Sequence, residues 1–86
     1  MMRIEFKRSA LQDLRKLDRR LVPNILQRIE SLRGEPVPRQ SVKLVGTEGL
    51  YRLRTGTYRV IYELDSEAEL ITIFYIRHRR EAYRNL

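Results

Sequence analysis

Two groups of residues in this chain have types and spacing suited to chemistry on a phosphodiester. Arg52, Arg54 and Arg59 fall within the stretch LYRLRTGTYRVIYEL, and a basic run, Arg77-His78-Arg79-Arg80-Glu81-Ala82-Tyr83-Arg84, lies near the C-terminus. A guanidinium stays protonated at neutral pH and can pair two phosphate oxygens at once, so such a set can neutralise charge developing on a phosphate. The set is poor in bases. Arginine cannot accept a proton, a free tyrosine titrates at about 10, and the arginines around Glu81 favour its charged, weakly basic form. His78 has the intrinsic range for proton transfer, but a lone histidine at a strand end serves equally well as a packing or hydrogen-bonding residue. Neither a metal-binding carboxylate cluster nor a phosphate-cradling loop nor a Ser-His-Asp set is recognisable. Cleavage by these residues would therefore be metal-free and use the 2′-hydroxyl of RNA as nucleophile, with substrate positioning supplying much of the acceleration.

The hairpin arginines are placed by the strands that carry them. Apolar and polar residues alternate on both sides of Thr55-Gly56, the pattern of two strands with one buried face. A two-residue turn at Thr55-Gly56 sets Arg52 opposite Arg59 and Tyr51 opposite Val60. Tyr51, Leu53, Tyr58, Val60, Tyr62 and Leu64 then share one face, and Arg52, Arg54 and Arg59 share the other. Like charges opposite each other cost stability, which points to an anion on that face. The basic run follows a strand directly, so it can curl beside the hairpin and form one concave basic site that includes His78 and Tyr83. Read one at a time, these arginines and the terminal run could equally be solvated surface.

The 86 residues suit one domain, residues 1–86, with a modest core. At 42% hydrophobic and 34% charged the chain is globular, and its formal charge of +7 points to a polyanionic partner, nucleic acid first. Only Lys7, Lys16 and Lys43 are lysines among 18 basic residues, leaving 15 arginines. That bias favours bidentate phosphate recognition over diffuse attraction. The absence of cysteine removes disulfides and thiolate chemistry, and the single histidine makes a zinc site improbable. The longest apolar run is too short for a bilayer and the first residues lack a signal peptide's apolar core, so a soluble cytoplasmic protein is expected, with no membrane contact and no cofactor.

Taken in order, Arg3 to Lys7 alternates as a short strand. Ser9 and Gln12 match a capping box and open a helix with Ala10, Leu11, Leu14 and Leu17 inward and Asp13, Arg15 and Lys16 outward. A second helix starts at about Asp18 to Val22, with Asp18 as break or N-cap and Val22, Ile25, Leu26, Ile29 and Leu32 as its apolar face, ending near Gly34. The two helices should form an antiparallel or V-shaped pair. Pro36 and Pro38 mark a loop, Val42 to Leu50 leads into the hairpin, Asp65 to Glu69 is a turn, and Leu70 to Arg77 is a last, central strand with apolar groups on both faces. The expected fold is α+β, ordered β-α-α-β-β-β, a mainly antiparallel sheet with a helix pair on one face and the arginines on the other.

Tyr51-Arg-Leu-Arg54, Tyr58-Arg-Val-Ile-Tyr62 and Ile76-Arg-His-Arg-Arg-Glu-Ala-Tyr83 give the sequence a resemblance, over nearly its whole length, to the RelE/ParE superfamily of toxin-antitoxin toxins. The RelE branch implies a compact α+β fold, cleavage of mRNA in the ribosomal A site, and inhibition by a cognate antitoxin, here an acidic, RelB-like amphipathic helix. By that resemblance Arg59 and Arg80 stabilise the scissile phosphate, and Tyr83 orients or deprotonates the 2′-hydroxyl or stacks on a base. Arg52 and Arg54 stand where relatives often carry lysine, and with Arg79 they would hold mRNA or ribosomal RNA. Because arginine cannot replace lysine as a base, His78 becomes a candidate for that role. The ParE branch shares the fold but is thought to act on DNA gyrase. A non-catalytic RNA-binding module is the third reading, since fold does not fix function.

Overall fold

In a computed structural model, which describes residues 1–78, the chain forms strand β1 (Arg3–Phe6), helices α1 (Arg8–Lys16) and α2 (Val22–Glu30), a 3-10 turn (Ser31–Arg33), and strands β2 (Ser41–Lys43), β3 (Leu50–Thr55), β4 (Tyr58–Asp65) and β5 (Leu70–His78). The strands make one sheet in the order β1-β5-β4-β3-β2, antiparallel except for the parallel β1–β5 pair. The α+β class and the order of helices before the hairpin are as expected. Strand β2 is an addition: three residues with Val42 as the only apolar side chain are too few to show alternation. No helix among the described residues is long and apolar enough to cross a membrane.

The helix side of the sheet holds the core. Ala10 from α1, Ile25 and Ile29 from α2, and Leu32 pack with Leu53, Val60, Tyr62, Ile71, Ile73 and Ile76. Each such side chain contributes roughly 1.5–3 kcal/mol when fully buried. Leu26, expected on the inner face of α2, stays partly exposed. Tyr62, fully buried, stacks with Tyr51 at 5.6 Å between ring centroids. Its hydroxyl donates to the Pro36 carbonyl at 2.6 Å and has Ser41 Oγ at 2.8 Å, so the proline loop is pinned to the sheet. Burial pushes the Tyr62 phenol above its usual range.

Several local expectations are overturned. Ser9 does not cap α1; Lys7 occupies the N-cap position without a side-chain bond, and Ser9 Oγ instead donates to the Phe74 carbonyl at 2.6 Å. The break expected at Asp18 is present, with Asp18 accepting from Arg20 N–H at 2.9 Å, and α2 begins at Val22, within the expected range, with Leu21 and not Asp18 as N-cap. Asp13, expected outward, is buried on the inner face of α1. The apolar residues on both faces of β5 have a local cause. Ile61 pairs with Tyr75 but Tyr62 pairs with Ile73, so Phe74 is an extra residue on β5. That bulge brings Ile73 and Ile76, three apart, onto the same core face.

The same bulge explains Ser9 and Asp13. Beyond Ile73, β5 has left the cover of β1, whose register ends at Phe6. Along this edge Lys7 N–H donates to Ile73 O, Ser9 Oγ to Phe74 O, and Ile76 N–H to Asp13 Oδ2 at 2.9 Å. Ser9 and Asp13 are four apart, one above the other on α1. They satisfy strand groups that would otherwise be unpaired, each of which would cost roughly 1–3 kcal/mol if left so.

Candidate nucleic-acid interface

The hairpin turns at Gly56-Thr57, not at Thr55-Gly56. Gly56 has φ +62°, and a two-residue hairpin turn with only its first central residue at positive φ calls for glycine there, where a β-branched threonine would be strained. The pairing is therefore displaced by two residues, which leaves every side chain on its expected face. It changes the partners. Arg59 faces Arg54, not Arg52, and Arg52 faces Ile61.

On its other side Arg59 faces Arg77 of β5. Arg54, Arg59 and Arg77 thus form a row across three adjacent strands on the sheet face away from the helices. Two directly opposed like-charge pairs cost roughly 0.2–1 kcal/mol each. Next to this row runs a second, Val42, Arg52, Ile61 and Tyr75. The Arg77 guanidinium lies 4.3 Å from the Tyr75 ring centroid, a cation-π contact that holds it over the face.

At the centre of the row Arg59 is only 7% exposed. Its Nη1 donates to the Tyr58 carbonyl at 3.0 Å and lies 3.5 Å from the Gly56 carbonyl, while its Nε is buried without an acceptor. A permanently charged group held with one donor unsatisfied is costly. Arg54 is exposed and Arg52 half-buried on the same face. Arg77 Nε is paired with Asp13 Oδ2 at 3.4 Å. The face therefore gathers several permanent positive charges, the type of group suited to neutralising phosphoryl charge.

Of the residues singled out from sequence, Arg52, Arg54 and Arg59 are brought together. His78 is not. It follows Arg77 on the strand and so points to the helix side, where its ring meets Tyr58 edge-on at 5.7 Å. Arg79, Arg80 and Tyr83 lie outside the described residues. Tyr75 is an addition that sequence reasoning missed, and Arg77, read there as the start of the C-terminal basic run, shares the strand face of the hairpin arginines. Their signal was present, since they are two apart on a strand and must share a face, but the pairing of β5 with β4 was needed to show which face.

The family model described as "ParE toxin of type II toxin-antitoxin system, parDE" matches residues 4–83. The RelE1 protein of Methanocaldococcus jannaschii is 31% identical over 85 residues, covering 95% of this chain and 94% of the relative. Toxin RelG of Mycobacterium tuberculosis is 33% identical over 88 residues, covering 94% of each. Among solved structures, the archaeal RelE-RelB complex from Pyrococcus horikoshii superposes with a TM-score of 0.80 at 32% identity, covering 91% of this chain and 94% of that one.

Proposed function

Because this chain belongs to the RelE/ParE family of type II toxin-antitoxin toxins, we propose that it is an endoribonuclease that cuts mRNA on the ribosome and so halts translation. The observation that carries this reading is the Arg54-Arg59-Arg77 row, three cations in register with the nearly buried Arg59 at its centre. Three like charges in register on adjacent strands call for an anionic partner, nucleic acid first.

In the proposed reaction the RNA 2′-oxygen attacks the adjacent phosphorus, the bond to the 5′-oxygen breaks, and the products are a 2′,3′-cyclic phosphate and a 5′-hydroxyl. Arg59, with Arg77 and Arg80, would neutralise the charge on the non-bridging oxygens. Arg52, Arg54 and Arg79 would hold the flanking RNA. The 2′-hydroxyl proton must pass to a base and another must reach the leaving oxygen. His78 faces the helix side, so Tyr83 is the favoured proton-moving residue, with His78 second. A cognate antitoxin would silence the protein. The Pyrococcus horikoshii relative is seen with RelB, and a RelB-like acidic helix would cover the arginine face or displace residues 78–86.

Primer extension on a defined mRNA in a purified translation system tests this, with and without ribosomes, comparing wild type with Arg59→Ala, Arg80→Ala and Tyr83→Phe. Codon-phased cuts that require ribosomes and are lost in Arg59→Ala are the expected result. The matching family model carries the ParE description, which supports a second reading as a gyrase inhibitor. Intact mRNA, continued translation and blocked supercoiling would establish that reading instead.

A further inference from the structure

Asp13 is a buried carboxylate on a helix face otherwise built from Ala10, Leu14 and Leu17. Its Oδ2 accepts two donors, the Ile76 backbone N–H at 2.9 Å and Arg77 Nε at 3.4 Å. The first of these does not explain a charge. A neutral asparagine or serine could accept from a backbone N–H, as Ser9 one turn earlier serves the same strand edge by donating to Phe74 O. Burying a full negative charge is favourable only beside a cation.

Arg77 supplies that cation. Its guanidinium is held at two points, by Asp13 at Nε and by the Tyr75 ring 4.3 Å from Cζ. Among the described residues neither contact occupies its two terminal nitrogens, the pair that receives a phosphate's oxygens side by side. An arginine tied at Nε has less rotamer freedom to lose when a ligand arrives, which lowers the cost of binding.

We infer that Asp13 is a positioning residue: through its ion pair with Arg77 it sets the terminal nitrogens of that arginine in the Arg54-Arg59-Arg77 row, ready for a phosphate of bound RNA. The inference rests on the proposed ribonuclease reading only for its catalytic consequence. The tether is a property of the folded chain.

The test uses toxin released from its antitoxin complex and has two arms. In the first, ribosome-dependent cleavage is measured for wild type, Asp13→Asn, Arg77→Ala and the double variant. Asparagine keeps an acceptor for the Ile76 N–H and removes the charge. Asp13→Asn is expected to lower kcat about tenfold to a hundredfold, with the thermal midpoint nearly unchanged, and to have no further effect once Arg77 is alanine. Losses that multiply in the double variant would make Asp13 merely structural and overturn the inference.

The second arm reads the tether without activity, and in wild type alone should Asp13→Asn fail to fold. Nitrogen-15 NMR of the arginine side chains should show Arg77 Nε–H protected from exchange and ordered like backbone, with an order parameter of about 0.85, and both features lost in Asp13→Asn. A fast-exchanging, disordered Arg77 Nε–H in wild type would also overturn it. Intact mRNA with an ordered, Asp13-dependent Arg77 would instead sink the ribonuclease reading and leave the positioning role standing.

Discussion

Arg59 and Arg77 stand directly opposite each other across the β4–β5 ladder, and Arg54 stands opposite Arg59 on the other side. Three cations in register on adjacent strands oppose folding, and a folding-only sequence would alternate charges there or place an apolar residue at the centre.

Arg59→Met should therefore separate stability from activity. Removing two like-charge pairs and a buried unsatisfied donor is expected to stabilise the fold by about 1 kcal/mol, raising the thermal midpoint by roughly 4–8 °C in a domain of this size. Cleavage should fall about 10²–10³-fold. A lowered midpoint would show that Arg59 is kept for packing.

RNA binding should weaken steeply with salt. With about three phosphates contacted on a single strand, the log-log slope is expected near −2, and Arg54→Ala should reduce its magnitude by about 0.7. Fluorescence anisotropy on an RNA carrying a deoxynucleotide at the scissile position, so that it cannot be cut, gives the slope directly. A slope near zero would remove phosphate contact from the account.

Ser9 and Gln12 offer a test of which bonds hold α1. Ser9→Ala should destabilise by about 1 kcal/mol, because the Phe74 carbonyl loses its donor. Gln12→Ala should stay within about 0.5 kcal/mol. Urea melts that gave equal costs would restore the capping box.

High pH should weaken the fold through Tyr62. Burial raises its phenol in the folded state, so the folded form holds a proton that the unfolded form releases at about 10. Stability is then full below about pH 10 and falls as pH rises toward the folded-state value. Tyr62→Phe should cost about 1–3 kcal/mol at pH 7, since the Pro36 carbonyl loses a donor, and should flatten the alkaline decline in denaturant midpoints between pH 9 and 11. A decline of the same size in Tyr62→Phe would assign it to another group.

Much of this architecture was legible in the residues. Period-2 alternation is a local property, so the side of the sheet taken by Arg52, Arg54 and Arg59, and by Leu53, Val60 and Tyr62, could be read without knowing any partner strand. The helices could be placed by the spacing of Ala10, Leu14, Ile25 and Ile29, and the α+β class by the order of elements. The motifs carrying the family resemblance were equally local.

Tertiary structure alone decided what depends on contacts across space. Two turns one residue apart, with pairings displaced by two, give the same faces, so only the pairing showed that Arg54, Arg59 and Arg77 form the row. A bulge leaves no mark in a strand's composition, and Phe74 was therefore read as evidence of two covered faces. Asp13 looked solvent-facing because a lone carboxylate in water is the cheaper state. It is buried because strand β5 brings an unpaired backbone N–H and an arginine to it, and neither partner lies near Asp13 in the sequence.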